Sequence, residues 1–219
     1  MPMFPLGTVL LPGGLLSLHV FEPRYRQLVA DLLADDVNEP EFGITMIERG
    51  KETGGGEVRA AVGTVARVVH IEALEGGRYR LVVVGTRRVR VRSWLPDDPY
   101  PLADVDEWPD ADPDEPGLRE LIAVARARIR DINLRTAELG DRPPPVTGGG
   151  DDGGDRPAAT ADPEISDDPL LATYHLAGIA PLGPADRYRL LCADSPMHRL
   201  QLLDEALDDV IAMIEFRRT

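Results

Sequence analysis

The sequence predicts an α+β fold, in which an N-terminal curled β pseudo-barrel with one embedded helix is followed by a C-terminal helical bundle. Apolar runs that fit strands occupy residues 1–110, and apolar residues at helical spacing recur over 114–139 and 168–219. Residues 140–167 are acidic and rich in Gly and Pro, so burial cannot offset the entropy cost of ordering them. We therefore predict two subdomains, the second interrupted by a disordered insertion.

The N-terminal segment combines three short apolar runs with the first helix. Gly and Pro separate the runs, and each run is too short to bury itself without the others. Pro23 stands where a first helical residue would, and Glu22 places negative charge near the positive end of the helix dipole. The helix then presents one apolar stripe that we expect to be buried: Tyr25, Leu28, Val29, Leu32 and Leu33.

Longer strand patterns follow, and they predict a sheet that curls into a barrel. The strands are expected at residues 41–48, 58–74, 78–95 and 102–107. Glu75–Gly77, between the two longest runs, is a hairpin signal. Gly63 and Gly85 are expected to mark bulges or sharp bends, because strands of this length rarely stay flat.

The apolar period becomes helical after residue 115 and predicts four helices. The first carries its apolar residues over 118–132. A capping residue or a proline at the first position marks the start of each of the other three: Asp167 or Asp168 with Pro169, then Pro184, then Ser195 with Pro196.

The net charge of −14 is concentrated in the middle of the chain, where residues 97–168 carry 7 basic and 20 acidic side chains. This balance opposes binding to phosphate backbones and to anionic lipid. The single cysteine, Cys192, excludes an internal disulfide. No segment approaches the roughly 20 apolar residues of a membrane span, and the N-terminus shows no export signal. We therefore predict a soluble, cytoplasmic protein without a membrane partner.

Residue types that could support catalysis occur without the required spacing. A P-loop needs Gly, four residues and then Gly-Lys-Ser/Thr, and the sole lysine, Lys51 in Gly50-Lys51-Glu52, lacks both the upstream glycine at that spacing and the Ser/Thr after it. Asp194, Ser195 and His198 offer the residue types of a triad, but they are too local to form one, and Ser195 is placed to cap a helix. The sequence therefore predicts no catalytic residues and no enzyme.

Metal and cofactor sites are not expected either. The histidines are scattered without paired ligand spacing: His19, His70, His175 and His198. Cys192 lies in an apolar run and is interpreted as a small core residue. We predict no metal and no cofactor.

Several motifs resemble the N-terminal substrate-binding domain of Lon protease. The opening Phe-Pro-Leu of residues 4–13 and the Phe-Glu-Pro-Arg-Tyr turn within 16–25 stand at a separation that is specific when both are present. Shorter matches follow at residues 42–44, 62–66 and 79–89. The resemblance covers most of residues 1–105 and continues more weakly in the helices.

The resemblance implies a PUA-like pseudo-barrel that binds unfolded, degron-bearing or exposed apolar polypeptide segments, without the ATPase and peptidase parts of Lon. A curled sheet can offer an edge to an extended peptide by strand addition. We interpret Phe21, Glu22, Arg24 and Tyr25 as candidate peptide-binding residues, with Arg24 exposed and paired to Glu22 or to an outside carboxylate. A purely structural strand-to-helix junction, with Tyr25 in the core, is the alternative interpretation. The sequence leaves open whether a separate ATP-dependent protease receives the bound polypeptide.

A stripe of arginines leaves an RNA-binding, PUA-like module as the alternative function. Its members are Arg78, Arg80, Arg87, Arg88, Arg90 and Arg92. Alternation would place the even-numbered arginines on one face and Val89 and Val91 on the other, as in an ordinary half-exposed strand. The acidic middle segment could neutralise that face, so nucleic acid is not the expected partner. Trp94 and Trp108 are expected to pack at a sheet edge rather than to stack on a ligand.

Overall fold

A computed structural model describes residues 1–34, 39–113, 115–138 and 165–218. These residues form two compact units, Met1–Pro109 and the described residues from Asp110 onward. The first unit contains a six-stranded sheet and one helix, and the second contains four helices in its described part. The α+β prediction is therefore confirmed. The predicted insertion at 140–167 lies almost entirely outside the described residues, and the exact subdomain boundaries stay a prediction.

Strands of the first unit form one mixed sheet. They are β1 Met3–Leu6, β2 Leu15–Val20, β3 Glu41–Arg49, β4 Val58–Leu74, β5 Arg78–Leu95 and β6 Leu102–Glu107. The order is β1-β3-β4-β5-β2, and β6 also pairs with β5. Only β1 and β3 are parallel; the other pairs are antiparallel.

The sheet is not closed, so the predicted closure of a barrel is wrong. One isolated bridge, Pro2 with Leu102, joins the start of the chain to β6, where a closed barrel would have a strand ladder. Around it, the Met3 N–H donates to the Pro101 carbonyl at 2.9 Å. The ladder does not lengthen here, because β1 has four residues and Pro5, where the next donor toward β6 would stand, has no N–H.

A turn before β2 fixes where that strand meets β5. The Gly14 N–H donates to the Leu11 carbonyl at 2.9 Å, and Gly13 has φ +76°, which matches a type II turn with Pro12 at its second position. The Gly13 N–H donates to the Gly85 carbonyl, and the Gly85 N–H donates to the Gly14 carbonyl. Two residues of one strand thus oppose one of the other, which is a G1 bulge.

The two predicted bend positions do adjoin irregular pairing. Gly85 borders a register shift between β4 and β5, and Gly63 borders one between β3 and β4. Both positions also need glycine for space: an added Cβ would lie 2.3 Å from the Leu11 carbonyl oxygen at Gly85 and 2.4 Å from the Ile44 carbonyl oxygen at Gly63. The hairpin at Glu75–Gly77 is confirmed as a short 3₁₀ turn between β4 and β5.

Helix α1, Pro23–Ala34, begins at the predicted proline and packs its apolar stripe on the sheet. Tyr25, Leu28 and Val29 are buried, and Leu32 is partly buried against the same core. Leu33 is 53% exposed, so its predicted burial is wrong. The stripe ends there because the helix itself ends one residue later. The core beneath it is formed by Phe4, Leu6, Leu10, Leu16, Leu18, Val20, Phe42, Ile44, Leu81 and Val83.

The second unit contains α2 Leu118–Glu138, α3 Pro169–Ile179, α4 Pro184–Leu191 and α5 Pro196–Arg218. All three prolines predicted at helix starts are confirmed as first residues. The Asp168 side chain accepts the Leu171 N–H at 3.0 Å, and Ser195 Oγ accepts the His198 N–H at 3.2 Å. Both side chains therefore act as N-caps. Helices α2, α3 and α4 each contact α5.

A buried ion pair connects elements within the second unit. The Arg199 side chain on α5 is fully buried and pairs with the Asp110 carboxylate. Its other N–H groups donate to Thr173 Oγ1 at 2.9 Å and to the Leu190 carbonyl at 3.1 Å. The Tyr174 hydroxyl donates to Asp110 at 2.7 Å. One guanidinium therefore joins α3, α5 and the segments at Asp110 and Leu190.

Candidate functional site

The four candidate residues lie where β2 passes into α1, at one end of an edge strand. Phe21 is 54% exposed and Tyr25 is 2% exposed, so the two aromatic rings differ in environment although they are four residues apart. Glu22 and Arg24 lie between them, with partly buried side chains. The structure therefore brings together all four residues that the sequence singles out.

A small pocket of about 40 Å³ opens at this junction. The strand end and α1 contribute Leu18, His19, Val20, Phe21, Glu22 and Tyr25, while β1 contributes Phe4 and Leu6 and the loop after β3 contributes Glu52 and Thr53. At roughly 10–15 Å³ for each water-sized group, the pocket has room for about three or four non-hydrogen atoms. Its lining residues are apolar or aromatic apart from His19, Glu22, Glu52 and Thr53.

The glycine-rich loop between β3 and β4 holds Glu52 at the pocket. The Gly7 N–H donates to Glu52 Oε1 at 2.5 Å, and the Gly54 N–H approaches Glu22 Oε2 at 3.4 Å. Arg24 Nη2 donates to the Glu52 carbonyl at 3.3 Å. Gly54 adopts φ +96°, which an L residue with a side chain rarely takes, so the loop needs glycine there.

Arg24 is more buried than the sequence predicts. Its side chain is 16% exposed, and its Nε donates to Glu22 Oε2 at 3.3 Å. Its guanidinium also lies over the Tyr25 ring, 4.4 Å from the ring centroid, in a cation–π contact. Of the two partners considered for Arg24, Glu22 is thus the one that the structure shows.

Tyr25 combines a tightly packed ring with a hydroxyl that has no protein partner. The ring stacks on Phe4 with centroids 3.9 Å apart. The hydroxyl is buried and makes no hydrogen bond to any residue in the described part of the chain. Burial raises the pKa of the Tyr25 hydroxyl well above its usual range, so it stays protonated and able to donate.

A second cluster of charged side chains in the first unit lies at the start of β4. Arg59 Nε donates to Glu57 Oε1 at 2.8 Å, and its Nη groups form two hydrogen bonds to Asp97 at 3.0 and 2.5 Å. The hydrogen bonds from Arg59 lower the pKa of the Asp97 carboxyl. The same guanidinium lies 4.8 Å from the Trp94 ring centroid. Trp94 therefore packs against a residue of its own sheet.

The arginine stripe on β5 is largely ion-paired. Arg87 pairs with Glu41 and Glu107 at 2.9 Å, Arg92 pairs with Asp106, and Arg80 pairs with Glu72. Arg88 is buried, so the prediction that the even-numbered arginines share one exposed face is wrong there. The register shift at Gly85 breaks the alternation. Arg88 and Arg90 lie over the Trp108 ring, with 4.4 and 3.9 Å to its centroid.

The residue types of a triad do not form one. The Asp194 N–H approaches His198 Nδ1 at 3.4 Å, and Ser195 Oγ is engaged as the helix cap, so neither geometry activates a nucleophile. No cluster of metal-ligating side chains exists among the described residues. Cys192 has intermediate burial and lies at the end of α4.

Sequence reasoning missed two parts of this site. Glu52 and Thr53 come from the loop between β3 and β4, 28 residues or more after Arg24 in the chain, and no local pattern links that loop to the helix. The run of glycines in residues 50–56 was a usable signal, because clustered glycines permit a loop to turn back on a neighbouring element. The pocket itself depends on side chains from three separate segments and had no signal.

Comparison with known protein families identifies the family to which the chain belongs. The model of the ATP-dependent protease La (LON) substrate-binding domain matches residues 1–209. The chain belongs to this family. Among curated relatives, Lon protease 2 of Sorangium cellulosum (strain So ce56) is 32% identical over 145 residues, which are 60% of this chain and 16% of that protein. Lon protease 2 of Myxococcus xanthus is 34% identical over 108 residues, 48% of this chain and 13% of that protein.

Solved structures of Lon N-terminal domains share the fold. The Lon N-terminal domain protein from Xanthomonas campestris has 29% identity and a TM-score of 0.61, covering 93% of this chain and 95% of that chain. The N-terminal domain of a Lon protease from the Mycobacterium avium complex has a TM-score of 0.61 at 18% identity, covering 95% of this chain and 98% of that chain. The latter likeness concerns fold alone.

The match therefore concerns one domain of much longer proteases. The chain spans about one sixth of the length of the Lon proteases that it resembles. Within that span, the shared family is the one that binds substrate in Lon. None of the helices in the described residues has an apolar stretch long enough to cross a bilayer.

Proposed function

We propose that this Lon substrate-binding domain holds extended polypeptide segments along β2, with the pocket at the end of that strand receiving one side chain. The observation that carries the proposal is an edge strand that leads directly into a pocket. Residues 18–20 belong to β2 and also line the pocket. A polypeptide segment that pairs with β2 would therefore reach the pocket while its pairing with the strand continues.

Strand β2 has a side that can accept another strand. It is the last strand in the sheet order, and among the described strands only β5 pairs with it. In an antiparallel ladder, residues bonded to the neighbour alternate with residues whose N–H and C=O point away. Counting from the Gly14–Gly85 bonds, Leu15, Ser17 and His19 turn these groups away from β5.

Exposed apolar side chains flank the same strand. Leu15 is 66% exposed at its start and Phe21 is 54% exposed just beyond its end. Main-chain hydrogen bonds would supply affinity for any extended segment, while these side chains and the pocket would favour apolar neighbours. This combination suits unfolded or degron-bearing polypeptides, which expose both backbone and apolar residues.

The test removes one backbone N–H from the free edge of β2 and leaves the core side chains unchanged. Ser17 is exposed on β2, and proline is tolerated in an edge strand when its missing N–H faces away from the ladder. We expect Ser17→Pro to weaken binding of a fluorescently labelled, reduced and unfolded polypeptide by about tenfold in fluorescence anisotropy, since at least one hydrogen bond to the added strand is lost.

Ser17→Ala is the matched control, because it removes the side chain but keeps the N–H. Its affinity should equal that of the unaltered chain. Equal affinity for Ser17→Pro, with circular dichroism showing an intact fold, would contradict strand addition at β2. Binding should also change little between low and high salt.

RNA binding is not proposed as a second function. Arg80, Arg87 and Arg92 are each paired with carboxylates of this chain, and phosphate contacts would have to displace them. A phosphate-binding mode would show a steep fall of affinity as salt rises, unlike the polypeptide mode.

We further propose that the chain itself is a binding module without catalytic activity, and that an ATP-dependent protease could receive the polypeptide that it holds. The support is the family match, which names substrate binding, together with the lack of a nucleophile–base pair around Ser195.

A further inference from the structure

Strand β2 lacks the features that keep exposed edge strands from pairing with one another. It contains no proline and no Asp, Glu, Lys or Arg. Burial alternates along the strand, so that its odd-numbered residues lie on the outer face and its even-numbered residues lie in the core. A second copy of β2 would therefore meet neither a charge nor a missing N–H along this edge.

Strand β6, which is also paired on one side over most of its length, is protected by charge. Among the described strands only β5 forms a ladder with it, and its other side has one bridge, at Leu102. The residues beyond that bridge include Asp104, Asp106 and Glu107. Because like charges that face each other across two strands are destabilising, these acids oppose a second copy of β6. Self-pairing is therefore favoured at β2 and opposed at β6.

We propose that β2 of a second copy of this chain docks antiparallel on β2, with a two-fold axis through the Ser17 pair. Leu15, Ser17 and His19 turn their N–H and C=O groups away from β5, so these three residues can bond to an added strand. An axis at Ser17 places Ser17 opposite its own copy and Leu15 opposite His19, which gives about six hydrogen bonds. An axis at Leu16 or Leu18 would give only about four.

The same register covers the exposed apolar side chains at both ends of the strand. Leu15, which is 66% exposed, would lie opposite His19 of the second copy. Phe21, which is 54% exposed and directly follows the strand, would lie next to Gly13 of the second copy, where no side chain stands. An aromatic ring is a suitable cover for a glycine on an edge strand. Each of these contacts occurs twice, because the interface is symmetric.

The charge of the chain does not oppose association at this edge. Residues 97–168 carry 7 basic and 20 acidic side chains, and they account for most of the net charge of −14. Residues 1–96 carry 12 basic and 11 acidic side chains. The part of the sequence that contains β2 is therefore nearly neutral, so two copies of it do not repel each other strongly.

Self-docking would compete with the binding of polypeptide, a consequence that rests on the proposed function. A second copy and an extended polypeptide need the same N–H and C=O groups of β2, so only one of them binds at a time. By mass action, the free edge becomes scarcer as the concentration of the chain rises, and an excess of unfolded polypeptide dissociates the dimer.

Sedimentation velocity at a series of chain concentrations measures the association. We expect the unaltered chain to pass reversibly from monomer to dimer as its concentration rises, with the weak affinity typical of a small interface. Ser17→Glu and Ser17→Lys each place like charges opposite each other, and each should weaken association by about fivefold or more. An equimolar mixture of the two variants should associate again, because Glu then faces Lys.

Ser17→Gln is the matched control, since it has the size of Glu without the charge, and it should associate like the unaltered chain. Circular dichroism verifies that each variant is folded. A chain that stays monomeric at every concentration, yet binds labelled unfolded polypeptide, would overturn self-docking and leave the proposed function intact. A dimer that Ser17→Glu and Ser17→Lys weaken no more than Ser17→Gln does would also overturn it, because the contact would then lie elsewhere.

Competition provides the remaining test. Saturating unfolded polypeptide should return the unaltered chain to monomers, and a dimer that persists with polypeptide bound would contradict a shared edge. A dimer that passes the charge tests, but whose diluted monomer binds no polypeptide, would contradict the proposed function and leave self-docking intact.

Discussion

Individual residues in this domain have roles set by their surroundings rather than by their type. Tyr25 and Phe21 are both aromatic residues at one junction, yet one is buried against Phe4 and the other is mostly exposed. The resemblance points to both residues, and only the positions of β1 and the Glu52 loop determine that both line one pocket. Similarly, Arg88 on β5 is buried where simple alternation places it outside.

His175 is expected to make the second unit sensitive to acid. Burial lowers the pKa of His175, and its Nδ1 accepts the Ser166 N–H at 3.2 Å, which only the deprotonated nitrogen can do. The unfolded chain, with a histidine pKa near ~6.5, then binds the proton more readily than the folded chain. Stability should therefore be full above about pH 7 and fall as the pH drops below about 6.5.

The measurement is urea unfolding at neutral pH and at about pH 5.5 for the unaltered chain and for His175→Gln. The glutamine variant cannot titrate, so it should lose less stability on acidification. His70→Gln, at an exposed position of β4, serves as the control. Identical acid sensitivity in His175→Gln and in the unaltered chain would show that other groups cause the effect.

At the scale of elements, the sheet owes its shape to a few backbone constraints. Gly63 and Gly85 allow strands to approach within a distance that excludes a Cβ, and the turn at 11–14 sets the register of β2. Pro5 in β1 has no N–H with which a ladder to β6 could extend and close the sheet. The helical unit has a different kind of constraint, since one buried guanidinium binds groups from separate segments.

Breaking that buried pair should destabilise the second unit strongly. Arg199→Met leaves the Asp110 carboxylate buried without its cation, and we expect the free energy of unfolding to fall by about 3–5 kcal/mol. The double variant with Asp110→Asn should recover part of this loss, because the uncompensated charge is then removed. Chemical denaturation followed by circular dichroism at 222 nm measures both.

An exposed ion pair provides the comparison. Arg189 and Glu205 pair at 2.6 Å on the surface of the same unit, and Arg189→Met should cost at most about 1 kcal/mol. If Arg199→Met costs no more than Arg189→Met, the pair at Arg199 does not hold the helices together.

At the scale of the whole molecule, the chain corresponds to the substrate-binding part of Lon and spans about one sixth of its curated relatives. A domain of this kind can bind without performing chemistry. Its acidic balance, with a net charge of −14, disfavours binding to nucleic acid.

The purified chain is expected to release no phosphate from ATP and to leave an unfolded protein substrate uncut. Phosphate release and gel electrophoresis of casein after prolonged incubation measure these two activities. Cleavage that co-purifies with the chain and disappears in Ser195→Ala would contradict the proposal of a non-catalytic module, whereas cleavage that persists in that variant would indicate a contaminating protease.

Local signals determined the elements of this protein, and long-range packing determined the site. The helix starts at Pro23, Pro169, Pro184 and Pro196 and the hairpin at Glu75–Gly77 follow from the sequence, because caps, prolines and apolar periods act over a few residues. The candidate peptide-binding residues at the β2–α1 junction stay a prediction. Only the tertiary structure decided that the sheet stays open, that Leu33 is exposed and that Glu52 and Tyr25 line one pocket. Those features depend on contacts between segments far apart in the chain, for which no local pattern carries information.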